Sequence, residues 1–232
     1  MGFWRRGPPV RLGGYLAEER ESLAAFFDEV SESLVEWVSG EAAAGRVPTD
    51  EAEAAAWGEA QGEAVWPRLW EEGLERARRR EPKEFLWPYL AACFYWESGQ
   101  LERARATFVD ALRIGRSDPR PGYALAVLYY GAYLHLSGLW ARTEAMRLFD
   151  PAGVAALFAL PGAPPEPRPE DRAPWERDPE AARQAYGQLG VSARDARKRA
   201  LKLFEILLSS QLHPADRLMI EGHIALIKAQ RG

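Results

Sequence analysis

The chain has 232 residues, of which 47% are hydrophobic and 28% charged, with a net charge of −4. That is enough apolar material for one large domain or two small ones. The single cysteine, Cys93, excludes an intramolecular disulfide. No stretch approaches the ~20 apolar residues of a membrane span, and no signal peptide follows the basic start, so we expect a cytoplasmic protein that does not use a membrane.

The first half of the chain predicts an irregular arm followed by two long helices. Residues 1–14 contain glycine and proline breakers and are expected to be irregular. Residues 15–44 carry apolar side chains at the three-and-four spacing of one buried helix face. Asp50, with Glu53 three residues later, indicates a capping box that opens a second helix to Arg80. Pro67 is expected to kink or restart that helix.

The second half predicts shorter helices in pairs. We expect helices at residues 85–97, 101–114, 122–136 and 139–149, with a short helix at 151–160. Residues 161–177 are rich in proline and are predicted to be a linker or surface loop, with Trp175 as a candidate anchor to the body. Further helices are expected at 179–188, 192–208 and 214–230. We therefore predict an all-α chain with a helical domain at 15–160 and C-terminal helices at 178–232 that pack on it.

One helical hairpin carries a recognisable spacing. Six residues follow one another at steps of 3, 4, 5, 4 and 3: Ala92, Tyr95, Gly99, Ala104, Phe108 and Ala111. This pattern resembles the tetratricopeptide repeat, in which small residues let two helices approach and a glycine forms the turn between them. Residues 86–119 carry the resemblance, although Pro119 comes eight residues after Ala111 instead of five. Weaker matches follow at Gly131, Leu134 and Gly138, and again at Ala200, Phe204 and Leu207.

The resemblance implies a fold and a binding mode. Antiparallel hairpins of this family stack into a right-handed solenoid, and a compact helical bundle stays the alternative. In the family, the first helix of each hairpin lines a groove that binds a peptide or protein. The matching positions here are Tyr89, Cys93, Trp96, Leu128, Ala132 and His135. Of these, we predict Tyr89, Trp96, Leu128 and His135 as the partner-binding residues. The resemblance therefore implies a scaffold or adaptor module whose partner is a protein, a peptide or a second copy of the chain.

Two other classes of function stay open on the sequence alone. An enzyme would need a site without a recognisable motif; we expect no cofactor and no metal, because His135, His213 and His223 lack ligand spacing. The apolar neighbours of Cys93 indicate an inert thiol. A nucleic acid or another acidic partner ranks lower, because it rests on one basic stripe along a helix. That stripe consists of Arg194, Arg197, Lys198 and Lys202.

The N-terminal helices combine acidic charge with many aromatic side chains. Residues 17–75 contain 16 acidic and 3 basic residues, a net charge of −13, which indicates internal docking or a surface for a basic partner. A two-helix hairpin is too small to bury all its rings. We therefore expect them to pack on the repeat-like region or on another chain, as in a homodimer. These rings belong to Phe26, Phe27, Trp37, Trp57, Trp66 and Trp70.

The amino-acid composition favours helices and is typical of a heat-adapted source or of a GC-rich genome. The sequence contains no Asn, and Arg outnumbers Lys 26 to 4. Abundant Ala, Glu, Leu and Arg favour helices. A heat-adapted source would explain the missing thermolabile residues, and a GC-rich genome would explain the arginine preference equally well.

Overall fold

A computed structural model of the chain describes residue 12, residues 16–140 and residues 173–230. Within these ranges the protein is all-α and contains no β-strand, which confirms the predicted fold class. The helices are α1 (Ala17–Ala43), α2 (Glu51–Arg80), α3 (Leu86–Glu97), α4 (Leu101–Ile114), α5 (Arg120–Leu136), a 3-10 turn (Pro174–Glu176), α6 (Pro179–Gly187), α7 (Ala193–Leu207) and α8 (Pro214–Ala229).

Several predicted elements lie outside the described residues. These are the N-terminal arm except Leu12, the helix at 139–149 except its first two residues, the short helix at 151–160, and residues 161–172. The remaining predicted helices occur, with their ends close to the expected positions. Pro67 lies inside α2 and does not end it. None of the described helices is both long enough and apolar enough to cross a bilayer.

Internal contacts divide the chain into two compact units. The N-terminal unit comprises residues 15–87, and the C-terminal unit comprises residues 1–14 and 88–232. This boundary falls inside the segment 15–160, which the sequence predicted as one domain. Hydrophobic periodicity identifies which face of each helix is buried, but it does not identify which helices share a core.

The N-terminal unit is a long antiparallel hairpin of α1 and α2. Asp50 begins α2 by accepting hydrogen bonds from the amides of Ala52 and Glu53 at 3.0 and 3.1 Å. Halfway along the hairpin, Phe26 packs edge-on against Trp70, with ring centroids 5.2 Å apart. Toward its turn, Trp37 and Trp57 stack at 5.7 Å.

An ion-pair network joins the middle of α1 to the end of α2. Glu29 on α1 accepts hydrogen bonds from Arg76 and Arg80 near the end of α2, at 2.8 and 3.2 Å. The positive charges of these arginines also interact favourably with the negative, C-terminal end of the α2 helix dipole. The hydrogen bond from Arg76, followed by that from Arg80, lowers the pKa of the Glu29 carboxyl against an opposing effect of burial. A carboxylate at this position therefore stays ionised and paired.

The C-terminal unit is organised around α5. This helix packs against α4, α6 and α7, and α8 packs on α7. Glycines on α5 allow the close approach: a Cβ at Gly131 would lie 2.3 Å from the Tyr186 hydroxyl oxygen, and one at Gly122 would lie 3.3 Å from Leu207. Leu12 ties the N-terminal arm to α8, because its amide donates to the Asp216 carboxylate at 3.1 Å.

The hairpin of α3 and α4 has the local features that its spacing predicts. Gly99 adopts a left-handed φ of 72°, which a residue with a side chain would adopt only with strain. The amides of Gly99 and Gln100 donate to the Trp96 and Tyr95 carbonyls and so end α3 with a Schellman-like turn. Ala92 and Ala104 have no exposed surface, so their predicted burial is confirmed.

Candidate functional site

The most distinctive polar arrangement of the C-terminal unit lies at the end of α3, where a short segment of the same chain is docked. We call residues 173–176 the anchor segment. The Trp175 indole N–H donates to two backbone carbonyls of α3, those of Trp96 and Glu97, at 3.1 Å each. Carbonyls in the last turn of a helix lack a full set of intrahelical donors. The Trp96 carbonyl already accepts from the Gly99 amide, so the indole adds a second donor there and also supplies a donor to the Glu97 carbonyl.

The Trp175 ring also packs against the α3–α4 turn. Its nearest ring atoms are 3.4 Å from the position that a Cβ of Gly99 would take, which is van der Waals contact. On its other side the ring meets Tyr186 edge-on, with centroids 5.6 Å apart. A lone tryptophan in a proline-rich stretch was the sequence signal for this anchor, and the docking of Trp175 confirms it.

The carboxylate of Glu176 is the second contact of the anchor segment. It accepts a hydrogen bond from the Tyr186 hydroxyl at 2.9 Å. Burial raises the pKa of Glu176, and the nearby Glu97 charge raises it further, while hydrogen bonds from Tyr186 and Trp96 oppose the shift. Burial also raises the pKa of Glu97. The two carboxyls thus lie close enough for the charge of one to raise the pKa of the other.

Tyr186 links the anchor segment to α5. It has 1% of its surface exposed and its hydroxyl lies directly over Gly131. Burial, followed by the charge of Glu176, raises its pKa well above the usual range, so the hydroxyl keeps its proton and acts as a donor. His135 stacks on the Tyr186 ring at 5.0 Å and meets Trp140 at 5.4 Å. Neither Glu176 nor Tyr186 had a sequence signal, because their pairing depends on how the chain folds back between the anchor segment and α6.

The structure places the predicted groove residues in two different environments. Trp96 and His135 are half-buried, and both contact Tyr186. Tyr89 is half-buried and its ring lies 6.0 Å from that of Phe108. Leu128 is 0% exposed and lies in the core, so a partner has no Leu128 surface to contact in this conformation. We refer to the surface around Tyr89, Trp96 and His135 as the α3–α5 face.

The linker prediction requires one correction at its described end. Pro174–Glu176 form a 3-10 turn, where we expected an irregular path. Proline favours the first turn of a helix because it needs no hydrogen-bonded amide there, and the Ala173 carbonyl accepts from the Glu176 amide at 2.9 Å.

The four residues of the predicted basic stripe on α7 have two different environments. Arg194, Lys198 and Lys202 are exposed, and within the described ranges no carboxylate pairs with them. Arg197 instead lies partly buried and donates to the Ile227 carbonyl from Nε and Nη2, at 3.2 and 2.8 Å. This arginine ties α7 to α8 and is not part of a free cationic surface.

The remaining reactive side chains have structural roles. His213 caps α8 by accepting from the Ala215 amide at 3.3 Å, as its position before a proline predicts. His223 stacks on Phe204 at 4.8 Å, and burial lowers its pKa. Burial raises the pKa of Cys93 to about 12, which suits an unreactive thiol. In the part of the chain that the structure describes, no three potential ligands converge on a metal-sized position.

Comparison with known proteins adds no relative to this picture. No family model, no curated protein and no solved structure matches the chain.

Proposed function

We propose that this chain is a protein-interaction module that binds a peptide segment across the α3–α5 face. The observation that supports the proposal is the docking of the anchor segment, whose Trp175 bonds to the Trp96 and Glu97 carbonyls. A surface that holds one short segment through backbone acceptors and an aromatic wall has the chemistry of a peptide site. The tetratricopeptide-like spacing of α3 and α4 supports the same function.

The proposed mechanism is non-covalent docking of a peptide segment. Half-buried aromatic rings at Tyr89 and Trp96 supply apolar area, and the end of α3 supplies carbonyl acceptors for a partner's donors. A few such polar groups orient a segment, while the rings contribute most of the affinity.

Selection of displayed random peptides tests the proposal. The wild-type chain and a Trp175→Ala variant serve as targets in parallel, and the enriched peptides are titrated against Tyr89→Ala and Trp96→Ala. We expect these alanine variants to weaken binding by about tenfold or more, in keeping with aromatic anchors. Ile206→Ala is the matched control, because Ile206 is an exposed apolar residue on α7, away from the α3–α5 face. Peptides that bind without regard to Tyr89 and Trp96, or no enrichment on either target, would contradict the proposal.

A second candidate function is binding of a phosphate backbone by α7. It is favoured by the exposed cations Arg194, Lys198 and Lys202, which recur every fourth residue and so share one helix face. The test is anisotropy of a labelled single-stranded oligonucleotide over a range of salt. Lys198→Ala should reduce the salt slope by about one unit if the lysine neutralises a phosphate. Binding that Lys198→Ala and Lys202→Ala leave unchanged would exclude this candidate.

A further inference from the structure

We infer that the anchor segment is an internal occupant of the partner site, and that the partner presents the same pair: a tryptophan followed directly by a carboxylate. This inference rests on the proposed function and names the chemistry of its ligand. Three features of the described residues carry it: the recognition of the indole, the recognition of the carboxylate, and the contacts of the following helix with α5.

The indole site is selective for tryptophan. The donor of Trp175 reaches two carbonyls at once, and its ring occupies the flat surface that Gly99 leaves open. Phenylalanine has no donor for these carbonyls, and the hydroxyl of tyrosine lies at the far end of its ring, away from the ring edge that bonds here. A competing segment that keeps both contacts must therefore present an indole.

The carboxylate site requires an acceptor. Tyr186 is buried, and its hydroxyl donates to Glu176. If the anchor segment left and nothing replaced it, the hydroxyl would lose its acceptor, and an unsatisfied buried donor carries a desolvation penalty. A ligand with a carboxylate next to its indole removes that penalty, whereas a purely apolar ligand does not. The site thus favours exchange of one Trp–acid pair for another.

Helix α6 has contacts of its own with α5, besides those that its Tyr186 makes with the anchor segment. The anchor segment forms a single 3-10 turn whose Trp175 and Glu176 are only half-buried. The next helix is held on its own account, because Ala182, Ala185 and Tyr186 are buried and α6 packs on α5. Release of the segment therefore needs a local opening and leaves α6 in place, and such openings cost less than global unfolding.

An anchor segment that occupies the partner site would prevent weak ligands from binding there. A tethered segment competes with an effective concentration on the order of millimolar, so a weak ligand does not displace it. A partner of matching chemistry and additional contacts does displace it, because it replaces both hydrogen bonds. The α3–α5 face would then bind only partners that extend beyond the Trp–acid pair, onto rings such as Tyr89.

The test is binding in trans of a peptide with the sequence of residues 173–178. The fluorescein-labelled peptide is titrated by anisotropy into the full-length wild-type chain and into the Trp175→Ala/Glu176→Ala double variant. We expect the double variant to bind at least about tenfold more tightly, because its internal competitor is removed. The peptide with Trp replaced by Ala, and the peptide with Glu replaced by Ala, should each lose most of this gain, because each lacks one of the two hydrogen-bonding groups.

Leu218→Ala/Glu221→Ala is the matched control, because it removes an exposed apolar residue and an exposed carboxylate from α8. It should bind the peptide as the wild type does. Equal affinity of the double variant and the wild type, or binding that ignores the peptide's Trp and Glu, would overturn the inference. If displayed peptides still depend on Trp96 in that case, the interaction module stands and only the internal occupant is excluded.

A second measurement covers the outcome in which the double variant does not fold. Hydrogen exchange of the wild-type chain is followed with and without the isotopically labelled peptide, at a concentration about tenfold above the millimolar effective concentration of the tethered segment, so that this short peptide competes with it. Displacement should raise the exchange of residues 174–177 and leave α6 protected. Unchanged exchange at residues 174–177 under saturating peptide would overturn the inference by itself.

Discussion

The two units of this protein bury their apolar side chains in different ways. The N-terminal unit has two helices of 27 and 30 residues and a single interface between them. The C-terminal unit distributes its described residues over shorter helices, and its central helix α5 is covered by α4, α6 and α7. As a result, Phe27, Val35 and Trp66 of the N-terminal unit remain 46, 64 and 38% exposed.

The units also differ in charge. Residues 15–87 contain 18 acidic and 8 basic side chains, a net charge of −10, whereas the remaining residues contain 16 acidic and 22 basic, a net charge of +6. A hairpin with one interface keeps many side chains in solvent and can carry a high charge, because most of its acids stay hydrated. The comparison predicts that substitutions that add side-chain atoms destabilise the C-terminal unit more than they destabilise much of the N-terminal hairpin.

The largest expected effect comes from a glycine on the central helix. Gly131→Ala should destabilise the C-terminal unit by about 3 kcal/mol, because overpacking of a core is costly and the new Cβ meets the Tyr186 hydroxyl. Denaturant unfolding measures the change. Gly122→Ala on the same helix is the control and should be nearly neutral, since the Leu207 side chain that it meets can shift. Equal effects of the two substitutions would mean that the Tyr186 hydroxyl does not limit the space at Gly131.

Ala104→Leu tests the hairpin with tetratricopeptide-like spacing. Ala104 has no exposed surface, so a larger side chain should cost ~1–3 kcal/mol through overpacking. Equilibrium unfolding of the variant and the wild type gives the difference. A change smaller than about 0.5 kcal/mol, the usual range for surface positions, would mean that α3 and α4 pack more loosely than their spacing predicts.

Self-association tests the exposed rings of the N-terminal unit. We predict that this unit forms a homodimer or binds a partner, because its apolar side chains at Phe27, Val35 and Trp66 stay partly exposed. The charge of −10 opposes association of two copies, so light scattering should show more dimer as salt screens the charge. Val35→Gln should reduce the dimer without changing the charge, and Leu218→Gln on α8 is the control. A monomer at all salt concentrations would leave only a basic partner for this surface.

Two carboxyls, one in each unit, should respond to acid in opposite directions. The paired Glu29 has a lowered pKa, so its contribution to stability is present above its unfolded value of 4.5 and is lost as pH falls through the folded value. The half-buried Glu176 has a raised pKa, so its contribution is fully present below 4.5 and is lost as pH rises through the folded value.

Two variants measure this contrast. Glu29→Gln should cost more stability at about pH 7 than at about pH 4, whereas Glu176→Gln should become relatively more stable as pH rises over the same interval. Unfolding curves at both pH values provide the comparison, and wild type at each pH is the reference. The same pH trend for both variants would contradict the assigned environments.

The smallest expected effect is a gain in stability from a substitution in the N-terminal unit. A Cβ at Gly62 of α2 meets no other atom within 4 Å. Gly62→Ala should therefore stabilise the chain by roughly 0.5–1 kcal/mol, because alanine loses less backbone entropy in a helix. Thermal melts detect the shift. A loss of stability at Gly62 would mean that the hairpin is more tightly packed than it is in this structure.

The sequence by itself determined the local features of the fold. Ser192, Asp178 and the His213–Pro214 pair begin helices as their types predict, since caps and proline act on the nearest amides. The burial of Ala92 and Ala104 was likewise predictable, because a helix places residues of one face at fixed intervals. These features depend on interactions between residues a few positions apart.

Only the tertiary structure decided which of these faces meet. Leu128 was expected on a groove and lies in the core because α5 is covered by three other helices. Arg197 was expected on a basic stripe and bonds to the Ile227 carbonyl. The anchor of Trp175 on Trp96 joins residues 79 positions apart. Periodicity repeats within one helix and carries no information on its distant neighbour, so contacts of this kind are decided only when the helices pack.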